Sequence, residues 1–262
     1  MDKQIENLQT KLRLKANFNK AASSYLEHAI IQQKPALFLI DKFGQYHTSG
    51  RVLDLGSGPG TFMHGKYRLP DNLINVDLSL DMLRQGISRH NSLVCADVVN
   101  LPFTNSSYST IISSLMLQWL DDKNKAFTEL SRIIESGGYL LFTTLIKPSL
   151  WQLDFAYKQI DSDEHIRHFC YEDEYLQLCR NNGFEILESV TWSDDYEFAS
   201  ILELFRHFRL TGTTLPQKAQ QQGIGGKERM ANLAINYPDI REGGKFRLSY
   251  YYLLIVARKT NE

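Results

Sequence analysis

Val52-Leu53-Asp54-Leu55-Gly56-Ser57-Gly58-Pro59-Gly60-Thr61 reads as a short apolar strand that runs into a glycine turn and then a helix. Gly56, Gly58 and Gly60 remove Cβ atoms where a backbone must bend tightly and come close to a ligand. A dinucleotide-binding turn has the spacing G-x-G-x-x-G, which would put its third glycine at position 61. Thr61 stands there instead and Pro59 intervenes, so the spacing is G-x-G-x-G after an acidic residue. Outward from this stretch, Leu73 to Val76, Leu93 to Ala96, Thr110 to Leu115 and Tyr139 to Leu145 also have strand length, and amphipathic segments separate most of them. That alternation predicts an α/β fold with a parallel sheet flanked by helices. Gly137-Gly138, after the helical pattern of Asp122 to Ile134, is expected to end that helix in a left-handed turn.

Upstream, Ile5 to Phe43 has helical spacing. Past Leu145, Lys147 to Arg180 lacks an obvious strand, Phe184 to Trp192 reads as one, and Ser193 to Arg247 reads as a polar and aromatic insertion before the apolar run Leu248 to Ala257. Gln220 to Gly226 reads as a mobile loop. One domain over 1–262 is expected: an N-terminal helical cover (1–45), a cofactor-binding core (51–145) and substrate-side insertions (146–182 and 193–247).

With 29 basic and 30 acidic side chains the net charge of the 262-residue chain is -1, so no overall positive field draws it toward nucleic acid or anionic lipid. Cys95, Cys170 and Cys179 form no C-x-x-C pair and leave one over, which fits reduced thiols and no metal site. The N-terminus lacks an apolar core, and no stretch approaches the roughly 18 apolar residues of a membrane span. A cytoplasmic monomer is expected, with no nucleic-acid or membrane partner.

Asp77 closes the run Ile74-Asn75-Val76-Asp77, where a carboxylate can accept hydrogen bonds from both hydroxyls of a ribose. The competing role, a helix cap, is better filled by Ser79 and Asp81. Leu78 and Met82 follow, placed to pack on an adenine face or in an ordinary core. Cys95-Ala96-Asp97-Val98 again closes a strand with a carboxylate. Asp54, Asp77 and Asp97 therefore belong to three consecutive strands, on the edge where open α/β sheets bind ligands.

The glycine spacing resembles motif I of the S-adenosylmethionine-dependent methyltransferases. Further segments resemble one branch, the malonyl-acyl-carrier-protein O-methyltransferases of biotin synthesis: Phe18 to Tyr25, Ser114 to Trp119, Phe142 to Leu145 with Ser149-Leu150 and Asp161, Thr211 to Thr214, and Phe246 to Tyr250. The likeness is dense over 18–150 and sparse beyond. Arg167-His168-Phe169 stands where that family tends to have Asn-Arg-Phe, and Leu210 stands where a glycine is common. The resemblance implies a Rossmann-like, seven-stranded, mostly parallel sheet with helices on both faces, a helical N-terminal cover and an inserted helical lid. It implies S-adenosylmethionine as cofactor, held by Phe18, Tyr25, Asp54, Gly56, Ser57, Gly58, Gly60, Asp77, Leu78, Met82, Asp97, Val98 and Leu115, with Asp97 accepting the adenine amine. It also implies a malonyl thioester on an acidic acyl-carrier protein as substrate, with Tyr25, Gln118 and Trp119 near the reacting methyl.

A malonyl carboxylate is ionised at neutral pH and needs no general base, but it needs donors that draw it out of water. Arg206 and Arg209 are the first candidates, then Arg167 and His168. A phenol or amine acceptor would instead need a base, for which His168 or His207 would serve. An acidic carrier calls for a basic patch, and Arg206, Arg209, Lys218, Lys227, Arg229, Lys245 and Arg247 cluster in the late sequence. Competing readings are another acceptor (a quinone, an amine or a different carboxylate), a dehydrogenase, disfavoured by Thr61, and a non-catalytic cofactor-binding module. Nucleic-acid methylation is disfavoured because Ser113-Ser114-Leu115-Met116 lacks the Asn/Asp-Pro-Pro-aromatic clamp for a flipped base.

Overall fold

The computed structural model describes residues 2–46, 49–61, 70–86, 92–213 and 226–261. β1 (Val52–Leu55) is buried at all four positions, as a strand covered on both faces requires. β2 (Leu73–Asp77) and β4 (Tyr108–Ser114) pair with it in parallel on either side. β3 (Leu93–Cys95) extends the sheet beyond β2, and β5 (Ile134–Leu145) extends it beyond β4, both in parallel. β8 (Lys245–Lys259) then runs antiparallel to β5, and β6 (Phe184–Phe198) antiparallel to β8. The order is β3-β2-β1-β4-β5-β8-β6, the seven-stranded, mostly parallel arrangement expected; a two-residue strand, β7 (Ile240–Arg241), adds an eighth by pairing with β8.

The period-two alternation of strand side chains divides the core between the two faces. Leu53, Leu55, Leu140, Phe142, Leu253 and Ile255 face α4 (Lys123–Ile133) and α6 (Glu172–Asn181), meeting Phe127, Leu130, Tyr175 and Cys179. Val52, Leu141, Leu254 and Val256 face the other way and meet Leu39, Ile40 and Phe43 of α2 (Ile30–Tyr46). Truncating a fully buried residue such as Phe127 or Phe142 to alanine would cost about 3–5 kcal/mol. α1 (Asp2–His28) precedes α2 with a break at Ala29, so the helical reading of the N-terminus holds in two pieces. Pro35 inside α2 has no N–H for the carbonyl of Ile31, and that oxygen takes the Tyr252 hydroxyl at 3.5 Å instead.

A third cluster closes the end of the sheet beyond β5 and β8. It joins α5 (Trp151–Lys158), α7 (Ile201–Leu210) and α8 (Gly226–Ile235) through Leu153, Leu204, Phe208, Leu233, Tyr250 and Tyr252. α3 (Leu80–Gln85) follows β2. Among the described residues no helix is long and apolar enough to cross a membrane. Cys95, Cys170 and Cys179 are all free.

Two expectations are corrected. Gly137-Gly138 does not end α4, because Ile134 is already extended. Gly137 takes a φ of +77° within β5, beside a register shift against β4, and a Cβ on Gly138 would sit 2.8 Å from the Ser109 carbonyl. The glycines let two strands close up. The insertion is also shorter than 193–247, since Ser193 to Phe198 continue β6 and pair with Phe246 to Tyr251 of β8. The 220–225 stretch, Lys218, the side chain of Lys227 and the segment after Thr61 lie outside the described residues.

Candidate active site

The register Leu55↔Val76 brings the glycine turn beside the end of β2. The amides of Gly56 and Ser57 both donate to the Val76 carbonyl, at 2.7 and 3.0 Å, and Gly60 N–H donates to Ser57 O at 2.7 Å. Gly56 and Gly58 have φ of +66° and +55°, where a side chain is strained. Their surroundings differ. A Cβ on Gly56 would strike Met116 Cγ at 2.2 Å, whereas one on Gly58 would meet nothing within 4 Å, because Gly58 faces an open cleft. The bare backbone at Gly58 leaves this side of the cleft open.

Asp54 is fully buried and does not line that cleft, a correction to its expected cofactor contact. Its oxygens accept from Thr61 N–H and Thr61 Oγ1–H, both at 2.8 Å. Burial pushes its carboxyl up to about 7, against those two hydrogen bonds. Thr61, the residue that departs from dinucleotide spacing, is what ties the turn to β1. Ser57 and Gly60 likewise shape the turn and do not line the cleft.

Asp77 stands at the cleft's edge. Its Oδ2 accepts from Gly58 N–H at 2.9 Å and its Oδ1 from Ser79 N–H at 2.7 Å. Burial pushes its pKa up, opposed by these backbone donors. The capping role belongs to Ser79, whose Oγ accepts from Met82 N–H at 3.1 Å and donates to Asn19 Oδ1 at 2.5 Å. Asp77 is level with Cys95, so Asp97 follows two residues beyond β3 on the same edge. Asp97 Oδ2 holds Lys11 Nζ at 2.5 Å, a partly exposed pair worth about 0–1 kcal/mol.

The cleft has a volume of about 1190 Å³. Its floor includes Leu78, Met82, Val98 and Leu115 beside Asp77 and Asp97. One face of α1 covers it with Lys11, Leu14, Phe18 and Tyr25. Phe18 meets Trp119 edge to face, with ring centroids 5.7 Å apart. Tyr25 keeps its proton, because burial and the nearby Asp77 charge push its pKa up. Gln118 lines the cleft, yet its amide donates to Leu115 O at 2.7 Å and its Oε1 accepts from Thr144 Oγ1 at 3.1 Å. It thereby braces Leu115, a non-glycine residue at φ +49°.

The other half of the cleft is apolar, with Ile31, Leu145, Leu150, Phe208 and Tyr250, plus Gln32 and His207. Ile31, Gln32, Leu150 and Tyr250 were not foreseen, because no local pattern links three such distant segments. Burial, with His28 adding to it, pushes His207 down to about 4, so its ring is neutral at neutral pH. Arg167 and His168 line the cleft. The Arg167 guanidinium lies 5.6 Å from the Trp119 ring and donates to Trp119 O at 2.8 Å and Asp121 Oδ1 at 3.1 Å. Burial lowers its pKa. Arg206 and Arg209 are corrected: α7 turns Ile201, Leu204 and Phe208 inward, which leaves both arginines exposed and off the cleft. The late-sequence basic cluster is corrected too. Arg229 is held to Asp161, Lys245 to Glu197, and Arg247 to Asp195 and Asp239.

A methyltransferase-domain family model matches residues 53–142. A malonyl-acyl-carrier-protein O-methyltransferase of Herminiimonas arsenicoxydans is 31% identical over 95% of this chain and 96% of its own length. One from Yersinia pestis is 28% identical over 92% of this chain and 89% of its own. Among solved structures, a methyltransferase from Bacillus halodurans superposes with a TM-score of 0.61 at 16% identity, covering 85% of this chain and 99% of that one, a likeness of fold.

Proposed function

This chain belongs to the malonyl-acyl-carrier-protein O-methyltransferase family, and we propose that it methylates the free carboxylate of a malonyl thioester on an acyl-carrier protein, with S-adenosylmethionine as methyl donor. The product is the methyl ester from which the pimeloyl chain of biotin is begun. One observation carries the reading: a cleft with carboxylates at two neighbouring strand ends continues into a pocket walled by Ile31, Leu145, Leu150, Phe208 and Tyr250.

When bound, S-adenosylmethionine would supply a methyl group activated by its sulfonium. The chain's work is to hold acceptor and donor in line in a site cleared of water. We assign Asp77 to the ribose hydroxyls and Asp97 to the adenine amine, with Phe18, Tyr25, Gly56, Gly58, Leu78, Met82, Val98 and Leu115 around them. Trp119 and Tyr25 line the same cleft and are assigned to the surroundings of the reacting methyl. The acceptor carboxylate titrates near pH 4 and is already the nucleophile, so no residue takes a proton from it. Ile31, Leu145, Leu150, Phe208 and Tyr250 exclude water from it. Arg167, half-buried in the cleft wall, supplies the cation that offsets its lost hydration, with His168 beside it.

Labelled S-adenosylmethionine offered with malonyl-, succinyl- and acetyl-carrier protein, a quinol and an amine tests the reading. Label on the malonyl carrier is expected, with Arg167→Gln raising its KM about tenfold or more. Label on the quinol or amine, with none on the malonyl carrier, overturns it.

A further inference from the structure

We infer that the acidic carrier docks on a cationic band formed by the middle of α1 and the outer face of α7, beside the mouth of the cleft; this rests on the acyl-carrier reading above. Between Lys11 and Lys20, α1 carries Lys11, Arg13, Lys15 and Lys20 and no acid. The first three stand on the rim of the cleft. Arg206 and Arg209, one turn apart on α7, are both exposed.

The two helices are locked together beside these groups. Ser24 Oγ donates to Leu210 O at 2.9 Å, and a Cβ on Gly212 would come within 2.8 Å of the Phe18 ring. Lys20 lies one turn before Ser24, and Arg209 directly precedes Leu210, so both sets of cations flank one contact. Among the described residues Arg13, Lys15, Lys20, Arg206 and Arg209 form no ion pair, unlike Arg229, Lys245 and Arg247. Of the acids on these helices, Glu203 is turned to the Ala199 amide at 2.5 Å, Glu27 follows the band in sequence, and Asp2 and Glu6 precede it. Other acids also line the cleft, but on other segments: Asp121 pairs with Arg167, Asp122 caps α4, and Asp163 and Glu164 follow α5, so the unpaired cations at the mouth come from α1 and α7.

A chain of net charge -1 that gathers six unopposed or rim cations here is acidic elsewhere, and the resulting field is directional. Complementary charge of this kind steers and orients a partner more than it adds affinity. Arg206 and Arg209 thus act on the carrier that delivers the acyl group, outside the pocket that receives its carboxylate.

The test compares Lys20→Glu/Arg206→Glu/Arg209→Glu with wild type on malonyl-carrier protein and on a carrier-free malonyl-pantetheine thioester, at low and high salt. The triple variant is expected to raise KM for the carrier substrate about tenfold or more and to flatten its salt dependence. Its kinetics on the small thioester should match wild type. Alanine at the same three positions should shift KM in the same direction by less. Arg258→Glu, exposed at the far end of β8 where it pairs with Tyr139, should change nothing. Unchanged carrier kinetics in both triple variants, with the wild type active, overturn the docking surface and leave the methylation reading standing; tight binding of the wild type to a DNA duplex alongside would reassign the band to nucleic acid. A wild type that methylates neither thioester overturns the reading itself and the surface with it.

Discussion

The backbone N–H of Gly58 donates to Asp77 Oδ2 at 2.9 Å, so the turn after β1 and the acid that ends β2 form one unit. The carboxylate that we assign to a ribose is oriented by the same backbone that stays bare toward the cleft.

Asp77→Ala should weaken cofactor binding about 10- to 100-fold, the worth of one or two hydrogen bonds to a charged group. Isothermal titration with S-adenosylmethionine measures it. A dissociation constant within about twofold of wild type would remove Asp77 from the site.

The two glycines should fail differently. Gly56→Ala drives a Cβ to 2.2 Å from Met116 and is expected to unfold the protein or lower its melting point sharply. Gly58→Ala meets no protein atom, so it should cost the fold only about 1–3 kcal/mol of backbone strain while weakening cofactor binding. Equal loss of stability in both variants would contradict the open space at Gly58.

Asp54 should make stability depend on pH in an identifiable way. Its folded-state pKa of about 7 lies above the unfolded value of about 3.9. Its contribution is therefore fully present below the unfolded pKa and is lost as pH rises through the folded one. Urea unfolding should show wild type losing about 2–3 kcal/mol relative to Asp54→Asn between about pH 5 and pH 8. A difference that does not move with pH would show that the carboxyl is not buried in the folded chain.

His207 lines the acceptor half yet moves no proton in this account. His207→Gln should keep turnover within about tenfold of wild type, where loss of a general base would cost about a hundredfold or more. A larger loss, restored as pH is raised, would favour an acceptor that must be deprotonated.

The half of the cleft that we assign to the cofactor was legible in the sequence as strand ends and a turn, because these lie at points that local pattern marks. Strand ends follow from the apolar runs at 52–55, 73–77 and 93–95, and the turn follows from glycine spacing. Ser79 read as a better cap than Asp77, as the structure has it. The role of Asp54 was not legible, since whether a strand acid faces ligand or a buried threonine depends on which face the next helix covers. Arg206 and Arg209 show the same limit: helical spacing separates the two faces of α7, but only packing against Ile31, Leu150 and Tyr250 decides which face meets the cleft. Gly137-Gly138 misled because a positive φ serves a strand irregularity as well as a helix end.

The most direct test is the intact mass of malonyl-carrier protein after incubation with the enzyme and S-adenosylmethionine, with acetyl-carrier protein in parallel. The account predicts a mass increase of one methyl group on the malonyl carrier and none on the acetyl carrier. A malonyl carrier of unchanged mass, from protein that still binds the cofactor, would contradict it.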